Sequence, residues 1–137
     1  DHLKNLGYPY VFIDHEYGGT TIFFANEKMK LQYLADTEGL EINSKEETFI
    51  TGKYLGYPPV ACKFFADYME DKPEELKRKK ANFQYYDIVF VGNIDDAEEI
   101  AMWLWENIKA PPKEVKVTYR QETLLIKPTI HKISTVT

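Results

Sequence analysis

Apolar residues along this chain fall into short runs with two periods. Tyr10 to Ile13 and Thr20 to Phe24 are β-branched and aromatic stretches on either side of Gly18-Gly19. Two glycines reach the φ > 0 angles of a tight hairpin loop. This spacing predicts a hairpin in which Tyr17 faces Thr20 and His15 faces Ile22. One face would carry Val11, Ile13, His15, Tyr17, Ile22 and Phe24; the other would carry Tyr10, Phe12, Asp14, Glu16, Thr21 and Phe23.

Helical signals follow. Asn26 is a suitable N-cap for a helix through Glu38, closed by Gly39, with Leu31, Leu34 and Ala35 as its inward stripe. Ser44 and Glu47 form a Ser-x-x-Glu capping box, with Phe49, Ile50 and Tyr54 behind it. That helix must stop by Gly56, since Pro58 and Pro59 disfavour helix before them. Either proline can open the next helix, whose Ala61, Phe64, Phe65, Tyr68 and Met69 make a full amphipathic stripe. Asp71 is then expected to cap a short charged helix from Pro73 to Lys80. Its acids come first and its bases last, as the helix dipole favours.

Tyr85 to Val91 reads as one strand, apolar on both faces and therefore central and covered twice. Gly92 and Asn93 end it, and Asp95 is expected to cap a helix whose Ala97, Ile100, Ala101, Leu104 and Ile108 face inward. Val115, Val117 and Tyr119 alternate as a strand, with Leu124 and Ile126 in the opposite phase, so a bulge or tight turn is expected near Gln121. The tail from Pro128 to Thr137 is mildly β-prone. Together these elements predict a single α+β domain over residues 1–137. It would have an N-terminal β-hairpin, a helical middle, and a strand-helix-strand C-terminal part forming a mixed or antiparallel sheet with packed helices.

Composition narrows the classes. The 137 residues are 44% hydrophobic and 28% charged, which excludes a disordered chain. Ten Tyr, eight Phe and two Trp supply enough rings to fill much of a core of this size. A net charge of −5 argues against a protein built mainly to bind phosphate backbones. The one cysteine excludes a disulfide framework or a Cys-rich zinc site. No run is long and apolar enough for a membrane span and no signal-peptide pattern is visible, so a cytoplasmic setting is expected.

Candidate chemistry is sparse. Cys62 falls in the first turn of a helix, where the dipole lowers a thiol pKa, but it also lies beside an apolar stripe, and free cysteine is commonly buried. Asp14, His15 and Glu16 supply a base and two carboxylates; alternation points His15 away from the pair, which would lie about 7 Å apart. Hairpin ends are polar anyway, and a Cys62–His15 couple has no support in the spacing. Asn93, Asp95 and Asp96 occupy a strand end where ligands often bind, yet capping explains them. Gly18-Gly19-Thr20-Thr21 lacks the lysine and spacing of a phosphate loop. Lys77 to Lys80 is the one basic run, and a solvated helix face accounts for it. Met102 and Trp103 lie off the inward stripe of their helix, so the C-terminal strands or a second subunit would cover them. A homodimer is the expectation, since symmetric dimers are the commonest oligomers.

Leu55-Gly56-Tyr57-Pro58, with Cys62 and the paired Phe64-Phe65 behind it, resembles a motif of uncharacterised small archaeal proteins. The Tyr86 to Trp105 stretch is similar to their later half. Some members carry two cysteines where this chain has Ala61-Cys62. The resemblance implies no activity; it implies an intracellular, archaeal-like setting. The leading expectation is a non-catalytic interaction or ligand-binding domain that self-associates, with Tyr57, Asn93, Met102 and Trp103 as candidate binding residues. The alternatives are a small hydrolase or transferase using Cys62 and an RNA- or nucleotide-binding module. No cofactor and no metal is expected, nucleic-acid and membrane partners are disfavoured, and the small-molecule ligand is undefined.

Overall fold

A computed structural model gives the arrangement of residues 2–15, 18–71 and 73–128. A short helix α1 (His2–Asn5) leads into the hairpin strands β1 (Tyr10–His15) and β2 (Gly18–Phe23). Helices α2 (Glu27–Thr37), α3 (Lys45–Tyr54), α4 (Pro59–Asp71) and α5 (Glu74–Lys79) follow. The C-terminal part comprises β3 (Lys80–Tyr85), β4 (Ile88–Asn93), a 3-10 turn (Ile94–Asp96), α6 (Ala97–Asn107), β5 (Val115–Tyr119) and β6 (Glu122–Ile126). The fold is α+β, with two antiparallel sheets: the β1-β2 pair and a four-stranded sheet in the order β4-β3-β5-β6. The β-prone tail beyond Pro128 lies outside the described residues.

The caps act largely as the sequence requires. Asn26 Oδ1 accepts from the Met29 N–H at 2.9 Å, and Ser44 Oγ accepts from the Glu47 N–H at 3.2 Å. The C-terminus of α3 closes in a Schellman arrangement: Gly56, at φ +85°, donates to the Lys53 carbonyl, and the Tyr57 N–H reaches the Gly52 carbonyl at 3.2 Å. Pro59 then starts α4, with the Ala61 and Cys62 N–H groups both donating to the Pro58 carbonyl.

Several expectations are corrected. In the hairpin, Tyr10 pairs with Phe23, Ile13 with Thr20 and His15 with Gly18, so both glycines are strand residues and Thr20 faces Ile13; Tyr17 lies outside the described residues. His15 meets Gly18 instead of Ile22, a slip of four positions along the partner strand. An even slip leaves the described side chains on their assigned faces, and Ile22 still points inward while Phe12 is exposed. The Phe12 ring lies directly over Gly19, filling the space a side chain would occupy.

The expected stripe on α2 is wrong. Leu31 and Leu34 are exposed and so is Ala35, while Tyr33 is the buried residue. Tyr33 wins the core position because its hydroxyl finds a partner, Thr51 Oγ1, at 2.8 Å. Asp71 does not cap the charged helix: it ends α4, and Pro73 occupies the N-cap of α5 without a side-chain bond. Likewise Asn93, not Asp95, caps the segment before α6, accepting from the Asp95 N–H at 2.8 Å.

The largest correction concerns Tyr85 to Val91, which is the tip of a hairpin and not one strand. β3 and β4 pair from Lys80↔Asn93 to Tyr85↔Ile88, and Tyr86 and Asp87 connect them. Tyr86 takes φ +53°, costly for a bulky residue, and is tethered there: its hydroxyl donates to the Pro111 carbonyl at 2.5 Å and its ring meets Tyr85 edge-on at 4.9 Å. β4 therefore lies at a sheet edge, with Val89 exposed.

One sheet face carries the main core. Ala81, Phe83 and Tyr85, with Phe90, Val115 and Val117, meet Ile100, Ala101, Leu104 and Trp105 of α6 and Ala61 of α4. On the opposite face Asn82, Gln84 and Lys116 are exposed, the pattern of an antiparallel sheet with one solvated side. The expected tight turn near Gln121 is present: Arg120 and Gln121 both have positive φ between β5 and β6. A second, smaller cluster holds the hairpin against α2 and α3 through Ile22, Phe24 and Tyr33, with Ile50 and Tyr54 packed around it.

Candidate functional site

Between the two cores lies a cavity of about 510 Å³. Its walls come from the hairpin (Ile13, Thr20, Ile22), α3, α4 (Cys62, Phe65, Met69) and the edge strand β4 (Val89, Val91). The volume falls within the range of sites for small organic ligands, roughly 300–1,000 Å³. The lining is mainly apolar and includes the aromatic residues Tyr57, Phe65 and Phe90.

A polar network occupies the α3 wall. Glu47 is 6% exposed and, among the described residues, is the single charged residue that lines the cavity. Its Oε1 accepts from the Asn43 N–H at 2.8 Å and its Oε2 from the Thr51 hydroxyl at 2.7 Å. The capping box is thus displaced by one residue: Glu47 reaches past Ser44 to Asn43, which sits at φ +69°, while the Ser44 N–H bonds to the Glu41 carbonyl. A threonine hydroxyl has one proton, and Thr51 gives its proton to Glu47, so Tyr33 must be the donor in the Tyr33–Thr51 bond. Burial, more than the nearby Glu47 charge, raises the Tyr33 pKa. Each carboxylate oxygen keeps an unused lone pair.

Cys62 also lines the cavity and is 3% exposed. Its Sγ donates to the Tyr57 carbonyl at 3.6 Å. Burial pushes the thiol up to about 11, with Lys53 opposing the shift weakly. The helix terminus that the sequence offers as an activator is outweighed by desolvation. Tyr57 is held from both sides: its N–H by Gly52, and its ring stacked on Phe90 at 5.4 Å.

The remaining candidates lie elsewhere. Asp14 is exposed, pairs with Gly19 and does not line the cavity. His15 ends β1 opposite Gly18, and its side chain, like all of Glu16, is outside the described residues. Asn93 serves the 3-10 turn, next to Asp95, which pairs with Lys79 at 3.0 Å. Met102 is exposed on the outer side of α6, whereas Trp103 is half-buried and packs against the main core. The basic run is largely engaged: Lys77 pairs with Glu74, and Lys80 sits over the Tyr68 ring. Among the described residues, no three His, Cys, Asp or Glu side chains gather as metal ligands, and no helix is long and apolar enough to cross a membrane.

Sequence reasoning missed Glu47 and Thr51 as site residues because the capping box already accounted for Glu47. Their i, i+4 spacing, with Gly52 adjoining, is the signal that marks one polar stripe on α3. No protein-family model, curated protein or solved structure matches the chain.

Proposed function

We propose that this protein is a non-catalytic domain that binds a small, mainly apolar molecule in the cavity between its hairpin and its β4 edge. The observation that carries this proposal is the cavity itself: about 510 Å³, walled by rings and aliphatic groups, with polar groups concentrated on one helix. Such a combination gives a ligand both burial energy and a fixed orientation. Of the four binding residues expected from the sequence, Tyr57 is the one that lines it.

A cysteine-dependent hydrolase or transferase has less support. At a thiol pKa of about 11, the thiolate fraction at pH 7 is on the order of one part in ten thousand. Nucleic-acid binding has less support too, since three of the four basic side chains from Lys77 to Lys80 have acidic or aromatic partners. Self-association belongs to the proposal, supported by the exposed Met102, as does a cytoplasmic setting, supported by the single cysteine. Light scattering of wild type against Met102→Ser tests the first; a monomeric wild type removes it.

The cavity is tested with N-phenylnaphthylamine, a neutral fluorophore that brightens on leaving water. Wild type should bind it, and Thr20→Trp, which places a ring into the cavity from the hairpin, should weaken binding about tenfold or more. Absent enhancement, or unaltered binding by Thr20→Trp, contradicts the proposal.

A further inference from the structure

We infer that the cavity selects cationic amphiphiles: molecules with an apolar or aromatic body and one ammonium group that pairs with Glu47. The inference rests on the cavity being a ligand site and adds the class of ligand. Glu47 is nine-tenths buried on the cavity wall, yet among the described residues its carboxylate receives one backbone N–H and one hydroxyl proton and no more. Among the described residues it takes part in no ion pair, and no Lys, Arg or His lines the cavity. A buried carboxylate is ordinarily matched by a cation, because leaving it unmatched sacrifices hydration without return.

The capping box alone does not explain this arrangement. A glutamine at the same position serves a capping box as well, and so would an exposed glutamate. Here Glu47 lines an apolar space while each of its carboxylate oxygens keeps an unused lone pair, and Thr48 and Thr20 line the same space and offer hydroxyl oxygens to an ammonium group's remaining protons. Tyr57 and Phe65 add aromatic side chains to the lining, which suit an aromatic body and favour a nearby cation. An anionic ligand would meet Glu47 with no counter-charge.

The test compares two near-isosteric probes, naphthylethylamine and naphthylethanol, by calorimetric titration of wild type and Glu47→Gln at pH 7. Wild type should bind the amine about tenfold or more tightly than the alcohol, and Glu47→Gln should reduce that preference to within about twofold. Wild type binding the alcohol as tightly as the amine overturns the inference while the cavity proposal stands. So does a preference that persists in Glu47→Gln. Binding of neither probe overturns both. Should Glu47→Gln fail to fold, the wild-type comparison decides alone, since it requires no variant.

Discussion

Gly52 of α3 and Cys62 of α4 touch so closely that a β-carbon added at Gly52 would lie 2.9 Å from the Cys62 sulfur. The two helices that wall the cavity are therefore set at a distance only glycine permits. Gly52→Ala should destabilise the protein by about 1–3 kcal/mol, measured by urea unfolding. In Cys62→Ala the sulfur is gone, so the double variant should lose less than the sum of the two single losses. Strict additivity would mean that the two residues do not share the contact.

The buried thiol makes stability depend on alkaline pH. In the unfolded chain Cys62 ionises near its ordinary value of 9.0, whereas in the native state it holds its proton to about 11. Between these values the unfolded state binds fewer protons, so stability falls as pH rises. Unfolding of wild type and Cys62→Ala from pH 8 to pH 11 should show the steeper alkaline loss in wild type. Iodoacetamide should label the native protein slowly at pH 8 and rapidly only once it is unfolded.

Asp67 ties the start of α3 to α4, with Lys45 at 2.9 Å and Lys63 at 3.1 Å. The Lys45 ammonium group, reinforced by Lys63, holds its carboxyl below the usual value. Its contribution is present above the unfolded value of 3.8 and is lost as pH falls through the lower native value. The pair is partly exposed, so Asp67→Asn should cost at most about 1 kcal/mol at pH 7 in low salt. The difference between the variant and wild type should shrink steadily as pH is lowered below 3.8.

Arg120 and Gln121 both adopt positive φ, +49° and +67°, in the β5-β6 turn. An Asn-Gly pair satisfies that geometry with less strain. The double substitution Arg120→Asn with Gln121→Gly should therefore raise the melting temperature, by an amount corresponding to roughly 1 kcal/mol. A fall would show that Arg120, whose guanidinium lies over the Tyr119 ring at 5.0 Å, matters more than the backbone angles.

Where structure is set locally, the chain states it plainly. Asn26 and Ser44 mark helix starts through their side-chain caps and Pro59 through its missing N–H, and of the expected stripe on α4 Ala61 and Phe64 are buried while Phe65, Tyr68 and Met69 are half-buried. The β3-β4 hairpin is illegible for the opposite reason. Its connection is Tyr86-Asp87, without glycine or asparagine, and Tyr86 is held in an unfavourable angle by Pro111, twenty-five positions away. Two strands thus merge into one apolar run in the sequence. On α2, two leucines outrank a tyrosine by hydrophobicity, and it is the distant Thr51 hydroxyl, with the Phe24 and Tyr54 rings, that makes Tyr33 the better core residue. The cavity is likewise a product of separated segments: nothing between Ile13 and Val91 announces that they share a wall.

Methyl-resolved NMR during titration with naphthylethylamine tests the central claim most directly, because an aromatic ring shifts the methyl signals it lies against. Shifts should concentrate on Ile13, Ile22, Met69, Val89 and Val91, which line the cavity, and should be lost in Thr20→Trp. Shifts confined to Met102, Leu124 and Leu125 on the outer surface, or none at all, would contradict it.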